Sequence, residues 1–198
     1  KLLEEIRKKT PTGKILVNGT EITGKVLGVT RIPTVKGQSF PAYDPRAIKG
    51  IGITYATTPM GADHTAGYAI APEIMGVGGQ LDPKDPKKAE VSRNLQTATA
   101  GALDATGYCL FCAFAILDIP EGLVGIVESV NGVLGTNYTV DDIIKNGQQI
   151  IDTEIAFNRA AGFTAVDDRL PEFIMEEKLP PTNEVFNVTD EDLDSVFK

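Results

Sequence analysis

The sequence predicts a mainly α fold: irregular helical domains with long loops, and at most a minor β-hairpin near the N-terminus. Three observations predict it. Apolar residues recur at helical spacing through Val140, Ile143, Ile144, Ile150, Ile151 and Ile155. Two Asp-Pro pairs, at 44–45 and 85–86, each stand before an apolar segment as a cap and a first-turn proline. One weak strand pair is visible, in ILVNGTEITGKVLGV, where Asn18-Gly19 suits a tight hairpin turn.

The elements follow in order. KLLEEIRKK (1–9) reads as the end of an amphipathic helix, stopped by Thr10-Pro11-Thr12-Gly13. After the candidate hairpin, RIPTVKGQSFPAY reads as irregular. Asp44-Pro45 starts a helix with Ile48, Ile51 and Tyr55 on one face, thinned by Gly50, Gly52 and Ala56. Residues 58–83 form a long Gly- and Pro-punctuated loop, of a kind often kept for function, and carry Asp63 and His64. Asp85-Pro86 starts a helix through Ala89, Leu95, Ala98 and Ala102. A second apolar helix, CLFCAFAIL, meets it at Asp104–Gly107. Gly107 inside a helix would cost roughly 1 kcal/mol relative to Ala. Residues 119–138 read as a loop. Thr139 and Asp142 resemble a capping box for the best helix, which Gly162 ends. The tail 163–188 is irregular, and Thr189 caps a short acidic helix that buries Leu193, Val196 and Phe197. The division expected is 1–43, a helix and irregular segment ending a preceding domain, and 44–198, a C-terminal helical domain.

Composition narrows the function. With 19 basic and 27 acidic residues the net charge is −8, which argues against nucleic acid as a partner. The apolar run Tyr108 to Leu117 is about half of a bilayer-crossing helix, so no membrane partner is expected. Two cysteines make no disulfide framework, which points to a reducing, cytoplasmic location. The chain opens at Lys1 in mid-pattern, and is expected to be a piece of a longer protein.

Three places could carry chemistry. His64 is the lone histidine; it is either structural or a proton or hydrogen-bond donor that bare glycine backbone lets a ligand approach. Asp63 beside it is either its partner or a loop cap. Cys109 and Cys112 have C-x-x-C spacing, but a redox pair sits at a helix start, whereas here an apolar run follows. Zinc needs two more ligands and a four-iron cluster needs four thiolates, so the plain reading is two buried core cysteines. Asp104, flanked by AGAL and ATGY, is expected to be partly buried. It then needs a partner: a helix N–H, a lysine, or the N–H edge of a pterin or purine.

Taken together, PAYDPRAIKGIGITYATTPMGADH, DATGYCLFCAF and FNRAAGFTAVDDRLPEF resemble the tungsten-containing aldehyde:ferredoxin oxidoreductases, over about Gly28 to Leu179. The resemblance implies the family's C-terminal helical region. It implies oxidation of aldehydes to carboxylic acids, two electrons passing to ferredoxin, and tungsten or molybdenum on two pterins beside a 4Fe-4S cluster. DATGYC matches the family's Asp-x-x-Gly-Leu-Cys. By that match Asp104 would accept from pterin N–H groups, Gly107 and Tyr108 would supply close backbone, and Cys109 would ligate the cluster. Tyr108 departs from the family's Leu, and Cys112 would be a core residue. His64 matches the histidine near the metal, as a hydrogen-bond or proton donor to a metal oxo group or substrate carbonyl. The cluster's other three cysteines, the first pterin motif and an active-site Glu would lie upstream. This piece alone would then be inactive and bind no cofactor. Its partners would be the rest of its polypeptide, ferredoxin and a small aldehyde, with a homodimer left open. The alternatives are a benzoyl-CoA reductase subunit on the same scaffold and a non-catalytic helical interaction module. The oxidoreductase reading expects His64, Asp104 and Cys109 along one open concave face.

Overall fold

The computed structural model describes all residues except 114, 115, 117, 118 and 120. Part of the helix expected in CLFCAFAIL, at Phe114, Ala115 and Leu117, therefore lies outside the described residues. The described fold is mainly α. In chain order it has α1 (Leu2–Arg7), α2 (Pro11–Leu16), α3 (Gly19–Val26), β1 (Thr34–Val35), β2 (Gln38–Ser39), α4 (Lys49–Thr57), α5 (Ala89–Ala98), α6 (Gly122–Leu134), α7 (Val140–Ala160), α8 (Glu172–Glu176) and α9 (Asp190–Ser195). No helix among the described residues is long and apolar enough to cross a membrane.

The hairpin is present, but not at Asn18-Gly19. That pair joins two helices. Asn18 sits at φ −84°, outside the positive-φ region a hairpin turn requires, and its side-chain amide donates to Lys14 O at 2.6 Å to close α2. The two-residue turn falls instead at Lys36-Gly37, where φ is 48° and 79°, in the segment read as irregular. Burial offsets the strain at Lys36. Its ammonium reaches the carbonyls of Ala56 (2.8 Å) and Thr58 (3.2 Å) and pairs with Asp168 at 2.5 Å. Thr10-Pro11 ends α1 as expected and also starts α2, with the Thr10 hydroxyl accepting from Gly13 N.

Both Asp-Pro signals fall one turn early. The Asp44 carboxylate accepts from Arg46 N, and that of Asp85 from Lys87 N, both at 2.9 Å. These are side-chain turns that feed the chain into α4 and α5 rather than caps of the helices themselves. The segment 119–138, read as a loop, is mostly the helix α6. The capping box at Thr139 is formed in both directions, at 3.2 Å and 2.8 Å. Past Gly162 the chain closes with Phe163 N on Asn158 O and Gly162 N on Arg159 O.

The main core forms around α4, all nine residues of which are buried. Ile51, Ile53, Tyr55 and Ala56 are fully inside and pack with Phe186, Leu193 and Val196. A helix apolar on every side belongs at a centre. Lys49 at its start is also fully buried. Its ammonium is held by the carbonyls of Arg46, at 3.0 Å, and Val185. A second cluster joins Ala102, Val127 and Ile143.

One packing contact positions the site. α5 runs without a break into a π-helical turn, Thr99–Asp104, and α7 lies directly on that turn through two glycines. A Cβ on Gly101 would come within 2.3 Å of Ile143 O, and one on Gly147 within 2.1 Å of Thr97 O. Only bare backbone lets the two elements approach so closely.

Candidate functional site, the Asp104 recess and the His64 loop

Asp104 ends the π-helical turn that α7 pins. Its side chain is not partly buried as expected but exposed, and it makes no side-chain hydrogen bond among the described residues. Enough protein still surrounds it that desolvation, reinforced by the Asp63 carboxylate, pushes its carboxyl above the ordinary range. After it the chain leaves the helix. Gly107 takes φ +75° with open space where a side chain would be, so its glycine is required by backbone conformation. It lies outside the helix in which it was expected.

Cys109 and Cys112 are both exposed free thiols, which corrects the reading of either as a core residue. Cys109 precedes a single 3-10 turn, Leu110–Cys112, in extended backbone. Among the described residues of this segment Ala113 is buried, and Leu110 and Ile116 are partly buried against it. Tyr108 edges a groove of about 780 Å³ between α6 and α7.

His64 is half-buried in the 58–83 loop. Its ring lies between Tyr43 and Tyr68, with centroids 5.5 Å and 5.8 Å away. The two tyrosine hydroxyls bond each other at 2.7 Å, and burial, followed by that bond, pushes the Tyr68 phenol up to about 12. Among the described residues His64 Nδ1 is buried with no hydrogen-bond partner, and Asp63 Oδ1 stands 3.9 Å off. Asp63 is first of all a loop cap, because its carboxylate accepts from Thr65 N at 2.9 Å and from the Thr65 hydroxyl at 2.8 Å. It also leaves negative charge beside Nδ1.

Sequence reasoning missed two groups that share the Asp104 recess. This recess, about 290 Å³, is lined also by Gln96 of α5 and Glu154 of α7. Desolvation and then Asp104 push the Glu154 carboxyl up. Gln96 was detectable as one of two polar residues, with Ser92, at i,i+4 on the buried side of α5, where Leu95 and Ala98 are only half-buried. Nothing local marked Glu154. Asp104 and the His64 loop are thus electrostatic neighbours through Asp63. Neither His64 nor Cys109 lines the recess among the described residues.

Residues 1–198 match the family model described as aldehyde ferredoxin oxidoreductase, domains 2 & 3. The chain is similar to the tungsten-containing aldehyde ferredoxin oxidoreductases of Pyrococcus horikoshii and Pyrococcus furiosus, each 35% identical over 182 residues. That of Thermococcus kodakarensis is 33% identical over 181 residues. In each case the match covers 90% of this chain, and the chain spans 29% of the relative's length. The chain belongs to the aldehyde ferredoxin oxidoreductase family.

Proposed function

We propose that this chain forms one wall of a bis-pterin tungsten (or molybdenum) and 4Fe-4S site. The site would serve a protein that oxidises an aldehyde and water to a carboxylic acid, two protons and two electrons, the electrons leaving to ferredoxin. One observation carries the reading: within DATGYC a carboxylate with no side-chain hydrogen bond among the described residues, a positive-φ glycine open on its side-chain face, and an exposed thiol follow one another on one surface segment.

The residues fit such a group in a divided way. Among the described residues no cluster of three or more His, Cys, Asp or Glu could hold a metal ion. Asp104 offers an acceptor to pterin N–H donors, and Gly107 leaves room for a flat ring to lie near the backbone. Cys109 supplies one thiolate. When bound, the metal would supply the two-electron chemistry and the cluster the outward electron path. His64, held by its two tyrosines, would orient the aldehyde carbonyl and carry a proton at Nε2. Groups in that role typically contribute 10²–10⁴-fold.

The test is Cys109→Ala in the full natural protein, read by iron content and by electron paramagnetic resonance of the reduced cluster. The four-iron signal should disappear, and aldehyde-dependent viologen reduction should fall with it. An unchanged signal and iron content would overturn the reading.

A further inference from the structure

Cys109 and Cys112 stand at the first and fourth positions of one turn. Cys109 precedes the 3-10 turn in extended backbone, and the Cys112 N–H donates to its carbonyl at 2.9 Å. That bond keeps the two Cα atoms within about 7 Å, and a disulfide joins Cα atoms about 4.4–6.8 Å apart. The same two positions, the cap residue and the third helical residue, are filled by Thr and Asp at three other helix starts. Their side chains touch at each. The Thr139 hydroxyl donates to Asp142 at 2.7 Å, that of Thr189 to Asp192 at 2.9 Å and that of Thr164 to Asp167 at 3.2 Å. The Thr164 pair, like the cysteines, heads a 3-10 turn. Cys109 shares its extended backbone with all three threonines. That backbone turns the cap side chain toward the one three residues on. Both thiols are free and exposed, and the apolar run that follows buries neither.

We propose that Cys109 and Cys112 form a reversible redox pair, which closes to a disulfide when no cluster holds Cys109. The oxidant is a small-molecule disulfide. The thiolate of one cysteine attacks a sulfur of that reagent, a mixed disulfide forms, and one small thiol leaves. The thiolate of the other cysteine attacks the mixed disulfide, the Cys109–Cys112 bond forms, and a second small thiol leaves. The two protein thiols lose two protons and two electrons, and the reagent becomes two thiols. An exposed bond of this kind is labile, and the reverse exchange reopens it. Closure withdraws Cys109 from cluster binding and keeps its sulfur from irreversible oxidation. That consequence rests on the reading of Cys109 as a cluster ligand; the pairing itself rests on the turn. Cys112, outside the cluster motif, thereby acquires a role.

The experiment equilibrates the full natural protein, cluster-bound and cluster-free, in anaerobic buffers of glutathione and glutathione disulfide. Remaining thiols are alkylated in denaturant. Both cysteines fall in one tryptic peptide, Asn94–Lys145, whose mass is read. The cluster-free protein should yield this peptide unalkylated and two hydrogen atoms lighter than the dithiol. Dithiothreitol should restore both alkylations. Cys112→Ala should stop at a glutathione adduct on Cys109. The closure constant should be about tenfold or more higher in the folded protein than in urea, because the backbone of the turn is already ordered. A peptide that stays doubly alkylated at every buffer ratio overturns the inference. So does one that ends as glutathione adducts, a bond from either cysteine to a third, or a closure constant that urea leaves unchanged. In the cluster-bound protein the pair should stay open. A disulfide formed there with all iron retained would overturn the reading of Cys109 as a ligand and leave the pair standing.

Discussion

Glu73 and Asp104 are both carboxyls that desolvation pushes upward, but they face opposite company. Glu73 lies in the core, fully enclosed, and one oxygen takes Lys88 at 3.1 Å and Gly50 N at 3.1 Å. Lys88, 3% exposed, is itself held by the carbonyls of Asp82 and Asp85. This pair ties the start of α5 and the 58–83 loop to α4. Asp104 faces water and a second carboxyl, with no cation and no side-chain hydrogen bond among the described residues. Their partners separate architecture from function among identical residue types. A carboxyl that serves the fold brings its counter-charge with it, and one that serves a ligand leaves that place vacant.

The largest expected effect breaks the first member. Lys88→Met should destabilise the chain by about 3–5 kcal/mol in urea unfolding, because it leaves a buried carboxylate uncompensated. The sign with pH is definite. A carboxyl raised in the folded state binds its proton more tightly there than in the unfolded chain, so its ionisation costs stability. The variant's deficit should therefore shrink as pH falls through the folded value toward the unfolded one. A deficit that stays constant under acid would mean that Lys88 acts through packing alone.

How much of this could be read from the sequence follows from distance along the chain. The helical class, the Thr139 box and the DATGYC segment are local: each is written within a few consecutive residues. Local residues do not place the hairpin, because Asn18-Gly19 and Lys36-Gly37 are both competent turns. The choice was made by a distant partner, the carbonyls and carboxylate that hold Lys36. Asp44 and Asp85 were placed one turn early because an aspartate before proline closes a side-chain turn as readily as it caps a helix. Cys112 reads as core from its apolar neighbours, although it is exposed. Glu154 could not be found at all. Its meaning comes from Asp104, fifty residues away, across the glycine contact of α7.

Filling that contact tests how far α7 sets the geometry of the recess. Gly147→Ala should cost about 1–3 kcal/mol, because the new methyl meets the Thr97 carbonyl, a backbone atom that cannot step aside. It should also relieve part of the upward push that Asp104 exerts on the Glu154 carboxyl, since moving α7 away from the π-helical turn separates the two. Stability lost with the Glu154 titration unmoved would show that the recess does not depend on this register.

The smallest expected change in stability, and the sharpest contrast with Lys88, belongs to Asp104→Asn. If Asp104 serves a ligand, its charge does nothing useful for the fold, and the unfolding free energy near neutral pH should move by no more than about 0.5 kcal/mol, as at an ordinary surface position. The direction is set by its raised carboxyl. In the native chain ionisation at this position removes some stability as pH climbs from the unfolded value through the folded one, and the asparagine variant lacks that step. The two stability curves should therefore meet near neutrality or cross in favour of the variant, and separate in favour of the native chain in acid. Urea midpoints collected across that range decide it. A loss at neutral pH comparable to that of Lys88→Met would make Asp104 a structural carboxylate with an overlooked partner, and the contrast between the two regions would collapse.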